Sequence, residues 1–582
     1  MQRSERHDLY AAQLAGAIPR ALTALDRDPF SLTFGCFDRE YWSWATKDFG
    51  NIDLQRTIYP LTFIYLSKFP GNRWHREPRL RDWILAALAH CEHVQYKNGS
   101  FDHHYPNESS FVGVAFPLAE IGLAFMMLDE AGTLLDAERG RWLNLFSRCA
   151  DFLCRVDETH GFISNHRLGA VCGLHIASHL TGEMRFKRRG DEILATVVDK
   201  ASPEGWLLEY TGADPGYQTL DINFMAHYFR LSGDQNFLEK LVLPSLEFLI
   251  YFFHTDGSVG GEYGSRNCPL YYPGGFEAFA PHSGAAETMA RLGAKAILEG
   301  GSANLHGHDI RNFVPMMSSY TLAMKASGEE QSTADALPPP FERHFERYWP
   351  DAGLYVRSDA THYTVVGCSK GGVVKFFNKT NSGLVGAHSG YLLEAEDGKF
   401  WSNQFHEKNP VSGLDDCANS EVKPKLERSF SVESRFFKVM PLRVFTPLRF
   451  LLFRIFVLIL GRNLAINNWV KRNIITELVI HRRKPSVMRI QREFTFTSDS
   501  VQIRDRLEGM ERVRARRLRA ADIFTTIYMG SSKYYRNMEV LCDELSRRNL
   551  MDLIRASGGR LTYHLDSTGL ILIEKSDKDG KR

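Results

Sequence analysis

The chain lacks a cysteine framework. Its nine cysteines (Cys36, Cys91, Cys149, Cys154, Cys172, Cys268, Cys368, Cys417 and Cys542) are odd in number, scattered and free of Cys-x-x-Cys pairs, which excludes a disulfide scaffold and a zinc knuckle. Reduced, mostly buried thiols are the expectation. Net charge is nearly absent: 71 Lys plus Arg stand against 69 Asp plus Glu, leaving +2, so no overall basic field favours nucleic acid. No Walker-type glycine loop and no nucleotide fingerprint occurs, and no nucleotide or redox cofactor is implied. His306-Gly-His308-Asp309 and Asp102-His103-His104 carry ligand-type residues without zinc-site spacing. Each is expected to be a solvated loop, with no metal. The N-terminus, Met-Gln-Arg-Ser-Glu-Arg-His-Asp, has no signal-type apolar stretch, so a cytoplasmic location is expected.

What is present is ordinary globular material, 582 residues with 44% hydrophobic and 24% charged, long enough for two or more cores. In the first half, Leu80, Ile84, Leu88 and Cys91 recur at helical spacing, and similar apolar stretches run through 116–128, 142–154, 168–180, 218–229, 237–253 and 284–298. Successive amphipathic helices must pack on one another, as pairs in a ring or solenoid; no fixed repeat length accompanies them. Composition changes around 326–345, where Pro338-Pro339-Pro340 cannot continue a helix. Beyond it, short alternating runs predict strands at Leu354–Arg357, His362–Cys368, Val373–Phe377, Tyr391–Ala395, Ile490–Phe496, Val501–Leu507, Ile523–Tyr528, Leu561–Leu565 and Leu570–Ile573, hence an antiparallel sandwich. The expected domains are 1–335, helical, and 346–582, strand-rich.

A segment at about 440–480 interrupts the strands. Leu448 to Leu460 is apolar but studded with arginines, and a second helical stretch follows Gly461-Arg462 through Trp469, Lys471 and Arg472. It is too short and too charged to span a bilayer, for which about 20 apolar residues are needed. Two readings stand: a helical insertion packed against the rest of the fold, or an interfacial pair with snorkelling arginines that gives peripheral membrane contact through about 445–475.

Several side chains suit proton abstraction next to a carboxylate. Asn165 and His166 follow the turn-rich Glu158-Thr-His-Gly-Phe-Ile-Ser164 and precede an apolar helix, so both would sit near a helix N-terminus, which favours anions. There an amide or imidazolium can neutralise a uronate carboxylate and make C5 more acidic. Asparagine is also a common N-cap. Tyr217 follows the tight loop Glu209-Tyr210-Thr-Gly-Ala-Asp214-Pro215-Gly216; a phenol acts as base only if its pKa is lowered, and can otherwise protonate a leaving oxygen. As a purely structural residue it would staple the helix entry. Two loops look like binding walls: 99–109, offering His104, Tyr105, Asn107 and Glu108, and 260–277, offering Glu262, Tyr263 and Arg266, the last suited to a bidentate carboxylate pair. Glu262 and Arg266 could instead pair with each other. His388, just before the strand Tyr391–Ala395, would alone read as structural.

Together, Asn165-His166, Tyr217 and His388 in Gly386-Ala-His-Ser-Gly-Tyr-Leu-Leu-Glu-Ala-Glu-Asp-Gly398 resemble the pattern of the heparinase II/III-like polysaccharide lyase superfamily. The resemblance runs in outline over about 40–575. It implies an α+β fold with an N-terminal incomplete (α/α) toroid and a C-terminal antiparallel β-sandwich, here with a helical insertion. It also implies Asn165, His166, Tyr217 and His388 as catalytic residues, and β-elimination on an acidic, uronic-acid-containing polysaccharide as the activity. The insertion and the missing leader depart from secreted members, which suggests action at the inner membrane surface. Alternatives are a uronyl C5-epimerase, a glycoside hydrolase using Glu108, Asp214, Glu209 or Glu262, and a non-catalytic polysaccharide-binding or assembly protein.

Overall fold

Helices dominate the chain up to Ser327 and strands dominate from Phe345 onward; the computed structural model describes residues 1–302, 304–380, 383–439, 445–473, 483–521 and 547–573. The i, i+4 apolar rows do the packing. Helix Pro78–Val94 buries Leu80, Ile84, Leu88 and Cys91 on one face, as its spacing predicts. Helix Val112–Glu130 is apolar and long enough to cross a membrane by composition, but 78% of its apolar window is buried, because helices pack around it on several sides. The first helix, Arg3–Ala24, packs on the last of the helical half, Ile310–Ser327, so the succession closes on itself. Buried ions lock that closure. Arg6 bonds Glu277 and Glu287, each at 2.8 Å, and Glu120 receives Arg56 at 2.5 Å and the Ser318 hydroxyl at 2.6 Å.

The linker expected at 326–345 runs from the end of that helix at Ser327, through a short 3₁₀ turn at Pro340–Glu342, to the first strand at Phe345. Five strands, β3 (Phe345–Trp349), β4 (Leu354–Ser358), β5 (His362–Gly367), β6 (Val373–Asn378) and β7 (Gly383–His388), form an antiparallel meander; β1 (Leu208–Glu209) and β2 (Gly212–Ala213) are a hairpin within the helical half. A second antiparallel sheet carries β8 (Tyr391–Ala395), β9 (Phe400–Ser402), β10 (Val411–Ser412), β11 (Arg428–Val439), β12 (Arg483–Phe496), β13 (Val501–Glu508), β14 (Ala515–Ala520), β15 (Arg560–Asp566) and β16 (Gly569–Leu572). The fold is α+β, a helical toroid followed by a sandwich. The strand expected at Ile523–Tyr528 lies outside the described residues, and β3, β7, β9, β11 and β14 arise where no strand was expected.

Every residue of β4, β5 and β6 is buried because this sheet is covered on both faces. Along β6, Val373 and Phe377 belong to the core shared with the helices, while Val374 and Phe376 belong to the sandwich interior, the two-residue period of a strand. Lys375, turned to the helical side, forms a 2.7 Å ion pair with Glu262. Lys370 donates to Asn267 at 2.9 Å, and Tyr363 donates to the Tyr251 carbonyl at 2.6 Å. These contacts seat one domain on the other.

Candidate active site

The centre of the site is a join between a loop and a hairpin. Residues 162–164 pair with the β1–β2 hairpin: Tyr210 N–H donates to the Phe162 carbonyl at 2.9 Å and the Ser164 hydroxyl to the Leu208 carbonyl at 2.9 Å. From this join, helix Ser164–Thr181 starts with Asn165 and His166 near its first turn. The hairpin leads to Asp214, which caps helix Pro215–Ser232 by accepting the Tyr217 N–H at 3.0 Å.

His166 has the features of a proton acceptor. Its Nδ1 lies 2.7 Å from Oε1 of Glu158, while the ring keeps partial exposure, 18% for the side chain against 1% for Glu158. Burial pushes the Glu158 carboxyl up, but the charge and hydrogen bond of His166, with His160 adding to them, hold it below the usual range. An ionised Glu158 accepts the Nδ1 proton and leaves Nε2 as the basic nitrogen. His160 Nε2 stands 3.5 Å from the same carboxylate.

Two half-buried tyrosines follow: the Tyr210 ring lies 6.4 Å from that of His160, and Tyr217 neighbours Tyr210 and Arg266. Arg266 stacks its guanidinium 4.2 Å from the centre of the Tyr210 ring, and its backbone N–H bonds Asp214 at 2.7 Å. Burial raises both phenols above the ordinary tyrosine value, Arg266 pulling each back only in part. At neutral pH these phenols are protonated, which suits a proton donor rather than a base. Tyr210 holds a φ of +61° at the hairpin turn, a left-handed conformation that costs a non-glycine residue energy and is found at functional sites. In the sequence Tyr210 is marked only by its place in the Tyr-Thr-Gly turn.

Residues 54–276 match the family model described as the Ulvan lyase N-terminal domain. Over these residues the helical domain is similar to the N-terminal domain of ulvan lyases. Similar solved structures include Paenibacillus xanthan lyase (10% identity over 86% of this chain and 45% of that one, TM-score 0.47). Chondroitin AC lyase of Streptomyces coelicolor A3 is similar too, in complex with chondroitin sulphate (12%, 85% and 66%, 0.45), as is heparan sulfate lyase HepC of Pedobacter heparinus (12%, 78% and 61%, 0.39). The chain spans less than two thirds of the length of each. A comparison with curated protein sequences finds no match.

Within this domain several expected site residues have other work. Asn165 is 1% exposed, and its backbone and side-chain N–H groups bond Glu209 at 3.2 and 2.8 Å. The helix N-terminus expected to receive a substrate carboxylate is therefore filled by the protein's own carboxyl. Asn165 positions the join and does not touch the cleft. Glu262 is the buried partner of Lys375, and Tyr263, fully buried, bonds His254 at 2.8 Å; neither forms a binding wall. In the other loop His104 is exposed and faces Arg311 at 3.4 Å. Tyr105 and Asn107 are engaged by the insertion. Glu108 is buried beside Lys471: burial alone would raise it, yet Lys471 with His104 and His103 holds it down at about 2. The four carboxylates weighed for hydrolysis, Glu108, Glu209, Asp214 and Glu262, are each at most 5% exposed, unlike an acid pair flanking a glycosidic bond. Asp309 caps helix Ile310–Ser327; among the described residues no group of three His, Cys, Asp or Glu could hold a metal.

His388 needs the largest correction. It pairs with Val374 across β6 and β7 and so shares the face that turns into the sandwich, away from Lys375 and the helices. Its ring, 1% exposed, lies 5.0 Å from that of Tyr391 and 4.8 Å from that of Tyr563, and Arg492 approaches at 3.3 Å. Burial, with Arg492 adding to it, holds the imidazole well below its ordinary value and neutral. The sandwich histidine that meets the β1–β2 hairpin is His406, on the loop after β9. A Cβ at Gly212 would come within 2.2 Å of its Cε1 and Nε2. Nothing in the spacing of Asn403-Gln-Phe-His406 marks this, since a contact across about 190 residues leaves no local pattern. A cavity of about 540 Å³ opens beside it, lined by Thr211, Trp206, Tyr348 and Lys408 among others. Gly212→Ala is expected to destabilise the fold by about 1–3 kcal/mol through overpacking, and His406→Ala in the same chain to recover most of that in urea titrations. An additive double variant would show that the two residues do not meet.

Beneath the site, Glu209, Asp214 and Asp221 form a buried acidic floor. Burial pushes Glu209 up to about 7 against the pull of His166 and of the Asn165 N–H groups, and Asp214 up to about 6. Asp221 rises well above its ordinary value by burial, then by its two neighbours. A carboxyl raised on folding contributes stability that is complete below its ordinary value and lost as pH rises through the folded one. For Glu209 that window runs from 4.5 to about 7. The thermal midpoint should therefore fall across this window, and less steeply in Glu209→Gln; equal slopes would contradict the assignment.

Proposed function

We propose that the chain is a carbon–oxygen lyase that cleaves a uronic-acid-containing polysaccharide by β-elimination. The observation that carries this reading is the Glu158–His166 pair: Nδ1 is fixed on a buried carboxylate, and a partly exposed ring offers Nε2 to a C5 proton. As that C–H bond breaks, a C4–C5 double bond forms, the C4–O4 bond opens, and O4 takes a proton from Tyr217. Arg266, 4% exposed and stacked on Tyr210, lends positive charge to the site from behind that ring, lowering the cost of the enolate-like intermediate. Asn165 and Glu209 hold helix and hairpin in register, and His406 presses the hairpin from the other domain.

The polymer is an acidic polysaccharide. Ulvan, the substrate in the family's name, heads the set to be screened, with chondroitin sulphate, xanthan and heparan sulfate beside it. We place the enzyme in the cytoplasm, peripheral to the inner membrane. Incubation with each polymer in deuterated water tests the reading. Shortened chains bearing new ultraviolet-absorbing unsaturated ends are expected; full-length chains carrying deuterium at C5 would instead establish epimerisation.

A further inference from the structure

The insertion is built inside out. In helix Pro447–Ile459, Leu448, Leu451, Leu452, Ile455, Leu458 and Ile459 are 38–66% exposed. They recur every three or four residues and so make one stripe facing solvent, where a helix packed on a soluble core would present polar side chains. Phe445, Phe450, Leu460 and Trp469 extend the exposed apolar surface. The inner side is fully committed to the helical domain. Val457 is buried and its carbonyl accepts from Asn107 at 3.1 Å, the Phe453 ring meets that of Tyr105 at 5.5 Å, and Arg454 pairs with Asp48. From helix Leu464–Val470, the fully buried Asn467 donates to the Asn107 and Glu108 carbonyls at 3.0 and 2.7 Å. Lys471 donates to the Glu108 carbonyl at 3.0 Å. The apolar stripe is therefore held outward by polar anchors.

Charge identifies what covers it. From residue 440 to 476 the sequence contains six Arg or Lys and no Asp or Glu, and Arg449, Arg462 and Arg472 are exposed alongside the stripe. A helix of 13 residues rises about 20 Å, too short for a hydrocarbon core of about 30 Å. It can lie in the interface plane, apolar side chains in the acyl boundary and arginines among anionic headgroups. We propose that this hairpin docks the protein on an anionic lipid surface. The same hairpin anchors the 102–109 loop, so docking would set the helical domain against the bilayer. The proposal is independent of the polysaccharide reading and can fail without it.

The test is co-sedimentation of the full chain with vesicles of phosphatidylglycerol and phosphatidylethanolamine, or of phosphatidylcholine alone. Leu451→Asp with Ile455→Asp changes two outward positions and leaves the anchors intact; Arg449→Glu with Arg462→Glu removes the charge and keeps the stripe. Wild type should pellet with the anionic vesicles, and each double variant should bind on the order of tenfold more weakly or less. Unchanged melting curves would confirm that the variants are folded. Wild type remaining in the supernatant would overturn the proposal. So would equal binding by the variants, or a concentration-dependent dimer, without vesicle binding, that Leu451→Asp with Ile455→Asp abolishes. That last outcome would assign the stripe to a second copy.

Discussion

Replacing His166 by alanine is expected to lower kcat by about 10²–10⁴-fold, the usual worth of a positioned general base, with little change in KM. The ring is 18% exposed and its Nδ1 is tied to Glu158 at 2.7 Å, so its removal takes away the acceptor without emptying a core. Glu158→Gln separates this from a merely structural role. An amide at that position can donate to Nδ1 and shift the imidazole to the wrong tautomer, at a cost of about 10²-fold or more in kcat while the ring stays in place. Steady-state assays on an accepted polymer would measure both. If Glu158→Gln kept full activity while His166→Ala lost it, the carboxylate would have no part in setting the base.

The second large effect is expected at Tyr217. Tyr217→Phe should cost about 10²–10⁴-fold in kcat as the proton donor to O4 is lost, while Tyr210→Phe should stay within about threefold. The contrast has a structural reason. Tyr217 lies in the first turn of a helix whose N-cap is fixed by the buried Asp214, and a rigid element suits a group that must deliver a proton to one atom. The Tyr210 ring is engaged by Arg266 at 4.2 Å, and a phenylalanine ring preserves that stacking. A reversed pattern would transfer the donor role to Tyr210. Because burial raises both phenols, neither variant should alter the acidic limb of the pH profile.

Which parts of this architecture could be read from the sequence follows from the range of the interactions. Helix Pro78–Val94 was legible because its burial pattern is local, and Asn165-His166 because a turn-rich approach before an apolar run marks a helix start. His388 was misread because the sheet face of a strand residue depends on pairing: one position along, Ala387 lies opposite Lys375, which faces the helical domain. The partners of Glu262 and Gly212, Lys375 and His406, lie more than 100 residues away, so a glutamate that bridges domains looks the same as one that lines a cleft. The insertion was legible as apolar and basic. That its polar residues point inward to hold the 102–109 loop emerges only from tertiary packing. Arg3–Ala24, which closes the ring, was not anticipated as a helix; its first turn carries Arg6, whose place is set by Glu277 and Glu287 from the far end of the domain.

The central claim is that a fixed imidazole removes a proton from carbon and a sugar oxygen departs. The most direct measurement is the mass of the oligosaccharides released by the wild-type chain from ulvan and the other acidic polymers. The account predicts fragments whose masses sum to that of the parent with no water added, each cut leaving one unsaturated uronate, and the loss of these products in His166→Ala. Fragments that together gain one water per cut would contradict it.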